Sequence, residues 1–534
     1  MKPSEPLRIA KLPVVTDVSP LDVTPLYKKG GTLQLRPTQI QALTHASAYK
    51  GLVGLIGCGH GKTLITFLIP QVINAAKPLL LLPASLLKKT LLEFDFYAQH
   101  FNIKLPHLLS YETLSVRPTI LDDINPDVII ADEAHNLKSL ESTRTTRLLK
   151  FISKNRQVQF YCMSGTLLSR AVSDLAHLSY LALREGSPLP SDYKDLDLFD
   201  KCLNYEADEH QLKQIAPLIK GFKNFREALF NRLSCTAGVV LSPDADANLP
   251  SLQFIRMKLD MPPELQTTLK GISETDEILS CLGDMIDLAD IEASMHLFEG
   301  EGAVFRILSQ LICGFIYAWD WDEPDLEWLE ARKLWNKLLR KIVDLQLEGF
   351  DSPGLISKNF DDLPDDIKEV ALPYKLEWDI QKQKPMPPKK VVWVSDYMIE
   401  AIKDWASKQV GHYIIWVDHQ ALGERLAKEL SIPYYTGGVL PQEGSCICSI
   451  KAHGTGKNLQ WCSTSLVADT LIDAALWEQL LARTHRQGQT ADEVKYFLFD
   501  FSLFSTCFYR AIKQARMIEQ TTGQPQRLVY GDKL

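Results

Sequence analysis

Short apolar runs recur in the first part of the chain, and each is followed by a loop and then by a helical pattern. They are Leu52–Ile56, Leu79–Leu82, Val128–Ala131 and Val158–Met163. The same alternation returns later, at Tyr413–Val417, Cys446–Ile450, Ser465–Ala468 and Tyr496–Phe499. Strands that alternate with helices build parallel sheets covered by helices on both faces. The pattern therefore predicts an α/β fold with two parallel-sheet lobes.

The stretch between these two halves has a different pattern. From about Arg184 to Val370 it predicts long helices rich in Asp, Glu, Leu and Trp, and Gln381–Lys390 has the composition of a linker. The predicted organisation is an N-terminal extension (1–29), a first lobe (30–185), a mainly helical insertion and linker (186–390), a second lobe (391–515) and a C-terminal tail (516–534).

Composition sets outer limits on this organisation. The chain has 534 residues, of which 46% are apolar, enough for several cores. It contains no apolar run long enough to span a membrane and begins with no leader-like segment, so we expect a cytoplasmic protein. The ten cysteines are scattered except for Cys446 and Cys448, and we expect them to be reduced core thiols.

The net charge of −8 is unusual for a protein that binds nucleic acid, because such proteins carry basic surfaces. The carboxylates are concentrated, however, between Glu274 and Glu301, where there is no Lys or Arg, and again between Asp320 and Glu330. Outside these stretches the charge is roughly balanced. We expect the first acidic stretch to face away from nucleic acid or to bind a basic protein partner.

A glycine-rich turn follows the first apolar run. Gly57, Gly59 and Gly61 would let backbone amides converge on a phosphate at the start of the next helix. Lys62, expected in a solvent-open loop, would add charge at the β- and γ-phosphates, and the Thr63 hydroxyl would bind Mg²⁺. Ile56 replaces the first glycine of the usual pattern, so a chance glycine-rich turn is the alternative.

Asp132 and Glu133 follow the run Val128–Ala131, which puts them at the C-terminal end of a strand. Open α/β sheets bind their ligands at that edge. Asp132 would hold Mg²⁺, and Glu133 would orient and deprotonate the attacking water. The alternative is two acids that merely stabilise a helix N-terminus, which would leave His135 unexplained.

Arg483 and Arg486 are three residues apart near the end of the chain. This spacing predicts that both project from one face of a helix that begins near Trp477. Guanidinium groups suit the charge that develops on a transferring γ-phosphoryl group. The alternative is an ordinary pair of surface arginines.

Taken in order, these motifs resemble those of superfamily 2 helicases and, among them, the Swi/Snf-like ATPases. The resemblance covers roughly residues 30–185 and 390–515. Its motifs are Leu35–Gln39, Gly59–Thr63, Leu81–Leu87, Ser110–Leu114, Asp132–Lys138, Ser164–Thr166, His453–Leu459 and Gln479–Gln489. Leu167 replaces the proline that usually follows Ser164–Thr166, which leaves the subfamily open.

The resemblance implies two RecA-like lobes, with ATP in the cleft between them and DNA lying across both. It implies catalysis by Glu133, Arg483 and Arg486, and Mg²⁺ binding by Thr63 and Asp132. The implied nucleotide contacts are Gln39 at the adenine, Gly59, Gly61, Lys62, Thr63 and Gly456. The residues that would couple the nucleotide to DNA are His135, Ser164, Thr166, Asn458 and Gln479. The motif Trp477–Gln489 is similar to that of compact phage and bacterial members of the family, which would mean a bacterial or infected-cell cytoplasm.

Three functions fit these features. The first is an ATP-driven translocase on double-stranded DNA that remodels DNA or protein–DNA complexes. The second is a strand-separating superfamily 2 helicase on DNA or RNA. The third is a binding or assembly factor switched by nucleotide with negligible turnover. Glu133 and the two arginines argue against the third, because a switch needs no water-activating base. Only the family resemblance separates the first two.

Overall fold

The computed structural model describes most of the chain. The described residues are 4–15, 18–57, 59–168, 171–242, 249–275, 303–321, 325–345, 347, 350–437, 439, 441–453, 458–469 and 471–529. The predicted nucleotide contact Gly456 lies outside them, and so does nearly all of the acidic stretch Glu274–Glu301.

The first lobe is built on a six-stranded sheet in which all neighbouring strands are parallel. Its strands are β1 (Leu52–Leu55), β2 (Pro78–Leu82), β3 (His107–Ser110), β4 (Val128–Asp132), β5 (Gln159–Met163) and β6 (Val239–Leu241). They lie in the order β3-β2-β4-β5-β1-β6. β1, β4 and β5 are almost wholly buried because helices cover both faces, which explains their continuous apolar sequences.

The second lobe repeats this plan with another six-stranded parallel sheet. Its strands are β7 (Ser251–Lys258), β10 (Ile414–Val417), β11 (Tyr434–Tyr435), β12 (Cys446–Ser449), β13 (Thr464–Val467) and β14 (Glu493–Asp500). Their order is β11-β12-β10-β13-β14-β7. The predicted α/β fold with two parallel-sheet lobes is therefore confirmed.

The chain passes from one sheet to the other between β6 and β7. Both strands fall in the stretch 186–390 that was predicted as mainly helical, so neither was predicted, and β3 and β11 are two further strands that the sequence pattern did not predict. β6 has only three residues, too few to show a period, and β7 is the outer strand of its sheet with a mixed polar sequence. β7 pairs with β14 over eight residues, from Ser251 beside Glu493 to Lys258 beside Asp500.

A smaller helical region projects from the second lobe on an antiparallel ribbon. The ribbon pairs β8 (Phe315–Trp319) with β9 (Lys389–Trp393), so the predicted linker Gln381–Lys390 ends inside a strand. Beyond the ribbon, helices pack around their own apolar cluster, which includes Trp335, Leu339 and Phe360.

Helices cover the sheets and form the middle region. The helices of the first lobe are α1 (Glu5–Ala10), α2 (Pro37–Tyr49), α3 (Lys62–Val72), α4 (Leu87–Tyr97), α5 (Tyr111–Val116), α6 (Ile120–Ile124), α7 (Thr143–Lys154), α8 (Ser173–Leu183), α9 (Tyr193–Asn204), α10 (Glu209–Gln214), α11 (Ala216–Ile219) and α12 (Phe225–Ser234). The later helices are α13 (Pro263–Thr275), α14 (Ala303–Ile312), α15 (Leu326–Asp344), α16 (Pro353–Lys358), α17 (Asp365–Gln381), α18 (Tyr397–Ser407), α19 (Gln420–Leu430), α20 (Ile450–His453), α21 (Ala474–Thr484) and α22 (Ser502–Thr522). Short 3₁₀ helices cover Thr24–Leu26, Ala84–Leu86, Ala134–Leu137, Arg184–Gly186 and Phe360–Asp362.

The C-terminal segment ties the two lobes together. After α22, the Gln524 side chain donates a hydrogen bond to the carbonyl of Leu55 at the end of β1. Arg527 forms an ion pair with Glu478 on α21 in the second lobe. Arg226 on α12 donates to Gln520 on α22 at 2.8 Å. The last described turn therefore bonds to both lobes.

No helix among the described residues is both long and apolar enough to cross a membrane. The cysteines described, which include the close pair Cys446 and Cys448, are free thiols and mostly buried.

Candidate active site

The phosphate loop connects β1 to α3 and faces a cleft between the lobes. Gly59 and Gly61 have φ angles of 96° and 73°, which side-chain-bearing residues rarely adopt. A Cβ atom at Gly61 would also lie 2.3 Å from the Gln39 amide nitrogen. Gly61 is the residue just before α3, so the loop delivers its backbone to a helix N-terminus.

Lys62 is buried rather than solvent-open, which corrects the expectation from sequence. It is the first residue of α3, and only 8% of it is exposed. Its Nζ donates to the carbonyl oxygens of Ile56 and Gly57, at 3.2 Å and 3.3 Å. The ammonium group is therefore held inside the phosphate loop by the loop's own backbone.

Asp132 ends β4 and Glu133 follows it in a left-handed conformation, with φ of 50°. Such a backbone costs about 1–3 kcal/mol and persists only where its surroundings enforce it. Here Asp132 Oδ1 accepts a hydrogen bond from the Glu133 amide at 3.0 Å, and the Tyr111 hydroxyl donates to the Asp132 carbonyl at 2.7 Å. The turn directs both carboxylates into the cleft.

The two carboxylates differ in their protonation. Burial, with the neighbouring charge of Glu133, raises the pKa of Asp132 to about 7. Burial opposes ionisation of Glu133 as well, but Lys62, His135 and Arg483 outweigh it and lower the pKa of Glu133 below its usual value. Glu133 is therefore ionised at neutral pH and able to accept a proton, whereas a metal ion at Asp132 competes with a proton near neutral pH.

We expect Asp132→Asn to change how stability depends on pH. Because folding raises the pKa of Asp132, the protonated side chain stabilises the folded state. This stabilisation is complete below the pKa of Asp132 in the unfolded chain and is lost as pH rises through about 7. Without metal or nucleotide, the melting temperature of the variant should therefore exceed that of the wild type more at pH 8 than at pH 5. Thermal unfolding in EDTA measures this. Saturating Mg²⁺ and ATP should reverse the difference at pH 8, and a pH-independent difference would contradict the assignment.

A line of hydroxyl groups connects Glu133 to the second lobe. Ser164 Oγ donates to Glu133 Oε2 at 3.3 Å and lies 3.3 Å from Thr166 Oγ1. The Gln479 side chain on α21 donates to Thr166 Oγ1 at 3.4 Å, across 313 residues of sequence. His135 Nδ1 lies 3.1 Å from Ser164 Oγ. Four of the predicted coupling residues thus lie in one buried network with the predicted base.

The two arginines do not share a helix face, which corrects the sequence prediction. α21 ends at Thr484, so Arg483 is in its last turn and Arg486 lies in the following loop. Both still line the cleft opposite Lys62 and Glu133. Arg483 is buried, with its Nε bonded to the Gln479 carbonyl at 2.7 Å, and Arg486 donates to Oδ1 of Asn458.

The rim of the cleft contains residues that the sequence analysis did not assign. Arg36 donates to the Gly59 carbonyl at 3.0 Å and to the side chain of Gln487, from the second lobe, at 2.9 Å. Tyr97 lines the same cleft as Gln39. Arg36 could have been assigned from the sequence because it lies within the motif Leu35–Gln39. Tyr97 could not, because it belongs to no motif.

The whole cleft, including its open mouth, has a volume of about 1190 Å³. It brings together Gln39, Gly59, Gly61, Lys62, Thr63, Asp132, Glu133, Arg483 and Arg486. Converging amides, an ammonium group and two guanidinium groups suit a polyphosphate, and the Thr63 hydroxyl beside a carboxylate suits Mg²⁺. The donor set therefore fits ATP with its metal.

Two comparisons with known proteins give matches to this chain. The family described as SNF2-related domain matches residues 88–234. The ISWI chromatin-remodeling complex ATPase ISW1 of Saccharomyces cerevisiae is 28% identical over 317 residues, which are 52% of this chain and 26% of that protein. The chain thus spans about a quarter of the length of this relative. Motifs, fold and matches together make the chain similar to the Swi/Snf-like ATPases.

Proposed function

We propose that the protein is an ATP-driven motor that moves along double-stranded DNA and remodels DNA or protein–DNA complexes. The observation that carries this proposal is the buried network from Glu133 through Ser164 and Thr166 to Gln479. A motor must convert a change at the γ-phosphate into relative movement of its lobes. A hydrogen-bonded path between the hydrolytic base and the second lobe provides that link.

The residues divide the work of hydrolysis among them. Bound Mg²⁺–ATP would supply the transferable phosphoryl group and the metal charge on its oxygens. Lys62 and Thr63 would hold the phosphates and metal together with Asp132. Glu133 takes a proton from the attacking water, because its pKa keeps it ionised. Arg483 and Arg486 belong to the second lobe and line the cleft opposite the phosphate loop. Hydrolysis would therefore require both lobes.

Thr166→Val should weaken the coupling between DNA binding and ATP hydrolysis. Valine keeps the shape of threonine and removes the hydroxyl between Ser164 and Gln479. We expect the stimulation of ATPase by DNA to fall about 5- to 150-fold, the range of typical coupling energies, while hydrolysis without DNA changes little. Steady-state ATPase with and without duplex DNA measures this. Thr521→Val is the matched control, because that buried hydroxyl bonds to Met517 of its own helix. Equal stimulation in both variants would contradict the path.

The nucleic-acid substrate is tested by comparing ATPase rates with duplex DNA, single-stranded DNA and RNA. We expect duplex DNA to stimulate most, with little dependence on base sequence, because backbone contacts carry no sequence information. Affinity should fall with salt by about 0.9 log units per phosphate contact for each tenfold change in salt. A third strand on a triplex should be displaced while the underlying duplex stays closed. ATP-dependent separation of a long blunt duplex would instead establish a strand-separating helicase. DNA binding without ATP turnover would establish a nucleotide-controlled binding factor.

A further inference from the structure

Three chemically different side chains meet at the C-terminal edge of the second sheet. Cys313 follows α14, His419 follows β10, and Asp469 follows β13. β10 and β13 are adjacent parallel strands with Trp416 beside Val467, so the residues that follow them lie next to each other. Cys313 and Asp469 are buried, and 15% of the His419 side chain is exposed. None of the three lines the nucleotide cleft.

The three groups have the spacing of metal ligands. Asp469 Oδ1 lies 3.5 Å from the Cys313 Sγ and 3.5 Å from the His419 Nε2. All three ligand atoms lie within 4.8 Å of one another. Ligands at 2.0–2.3 Å from a tetrahedral Zn²⁺ are separated by about 3.3–3.8 Å. Two separations already match, and the third, between the cysteine sulfur and the imidazole nitrogen, would have to shorten by at most about 1.5 Å.

The surrounding structure fixes the orientation of these groups. The second carboxylate oxygen of Asp469 accepts hydrogen bonds from the backbone amides of Asp418 and His419, at 2.6 Å and 3.1 Å. This leaves Oδ1 directed at the cysteine and the histidine. The His419 ring packs edge-to-face on Phe315, with centroids 5.5 Å apart. Supporting contacts of this kind are typical around metal ligands.

We propose that Cys313, His419 and Asp469 form a metal site, with Zn²⁺ as its ion. Sulfur and imidazole ligands select zinc over the magnesium used at the nucleotide, which prefers oxygen. A water molecule or a backbone carbonyl would complete the coordination. The competing explanation is a metal-free hydrogen-bond cluster, in which the Cys313 thiol stays protonated and donates to Asp469. Zinc would remove that proton to the solvent as it binds the sulfur.

The ion would have a structural role. Cys313 lies between α14 and β8, the first strand of the ribbon that carries the helical region. His419 and Asp469 belong to the edge of the second sheet. A metal shared by all three would fasten the base of the ribbon to the lobe, independently of ATP.

The experiment uses the full chain without a histidine tag, stripped with EDTA, incubated with Zn²⁺ and desalted. We expect about one retained zinc per chain and a higher melting temperature with zinc. Substituted Co²⁺ should give thiolate-to-metal absorption in the near ultraviolet. Cys313→Ser and His419→Gln should each lose the retained zinc and the zinc-dependent rise in melting temperature, and Cys313→Ser should also lose the absorption band.

Cys462→Ser is the matched control, because Cys462 is equally buried and its Sγ bonds to the carbonyls of His412 and Thr464 instead. That variant should keep zinc and its stabilisation. Circular dichroism checks that each variant is folded. If Cys313→Ser does not fold, zinc retention by His419→Gln decides between the two explanations. A wild type that retains no zinc, or equal retention by all the variants, would overturn the proposal in favour of the hydrogen-bond cluster.

Discussion

Glu133→Gln should lower kcat for ATP hydrolysis by about 10²- to 10⁴-fold, the contribution typical of a general base. Glutamine keeps the shape of the side chain but cannot take a proton from water. The neighbouring amides, Lys62 and Asp132 remain in place, so ATP affinity should change only slightly. We therefore expect a state that binds ATP and stays on DNA. Single-turnover hydrolysis combined with nucleotide-binding titrations separates the two effects.

Glu93→Gln is the control for this experiment. Glu93 lines the same cleft but pairs with Lys89 at 3.4 Å instead of belonging to the Ser164 network. It should keep nearly normal turnover. If Glu133→Gln lost ATP affinity along with turnover, the role of Glu133 would be to maintain the loop rather than to activate water.

Arg486→Ala should lower kcat by about 10³-fold, the effect of removing an arginine that stabilises a transferring phosphoryl group. ATP affinity should fall less, because the phosphate loop belongs to the first lobe. Arg486 is a better test than Arg483, whose guanidinium group is buried and bonded to the backbone of its own helix. Loss of Arg483 would therefore combine catalytic and structural effects. Pre-steady-state measurement of ATP cleavage by rapid quench follows the hydrolysis step directly.

Arg486→Lys provides the matched variant for Arg486→Ala. Lysine keeps the positive charge but not the planar fork of donors, so it should recover part of the lost rate. Gln487→Ala, next in sequence, removes a contact to Arg36 and should have a small effect. Normal turnover by Arg486→Ala would mean that the second lobe closes the cleft without contributing to the chemistry.

The sequence predicted the buried strands well because both faces of these sheets are covered. A strand such as β4 is then a continuous apolar run that ends at a polar pair, Asp132 and Glu133. β11 and β6 were missed because they have two and three residues, too few for any pattern. β3 was missed because only Leu108 and Leu109 of its four residues are apolar. β7 was missed because its sequence is mixed and it lies in a stretch of helical character.

Side-chain placement was harder to predict than the strands. The end of α21 at Thr484 carries no glycine signal at the cap, because His485 is the C-cap and Gly488 comes three residues later. The contact between Gln479 and Thr166 has no local signal, because it joins residues 313 apart. The same holds for Cys313 and Asp469, which are 156 apart and show no metal-binding spacing in the sequence.

The chain crossover between β6 and β7 and the C-terminal segment are two of the connections that limit how the lobes can move. The C-terminal segment returns to the first lobe through the hydrogen bond from Gln524 to the carbonyl of Leu55. When the hydrogen bonds across the cleft, from Gln479 to Thr166 and from Arg36 to Gln487, break, the lobes can turn about the line that joins these two attachments but cannot slide apart. Each catalytic cycle would then be a rocking motion about a fixed axis, with its reach along DNA set by the distance of the DNA-contacting surface from that axis.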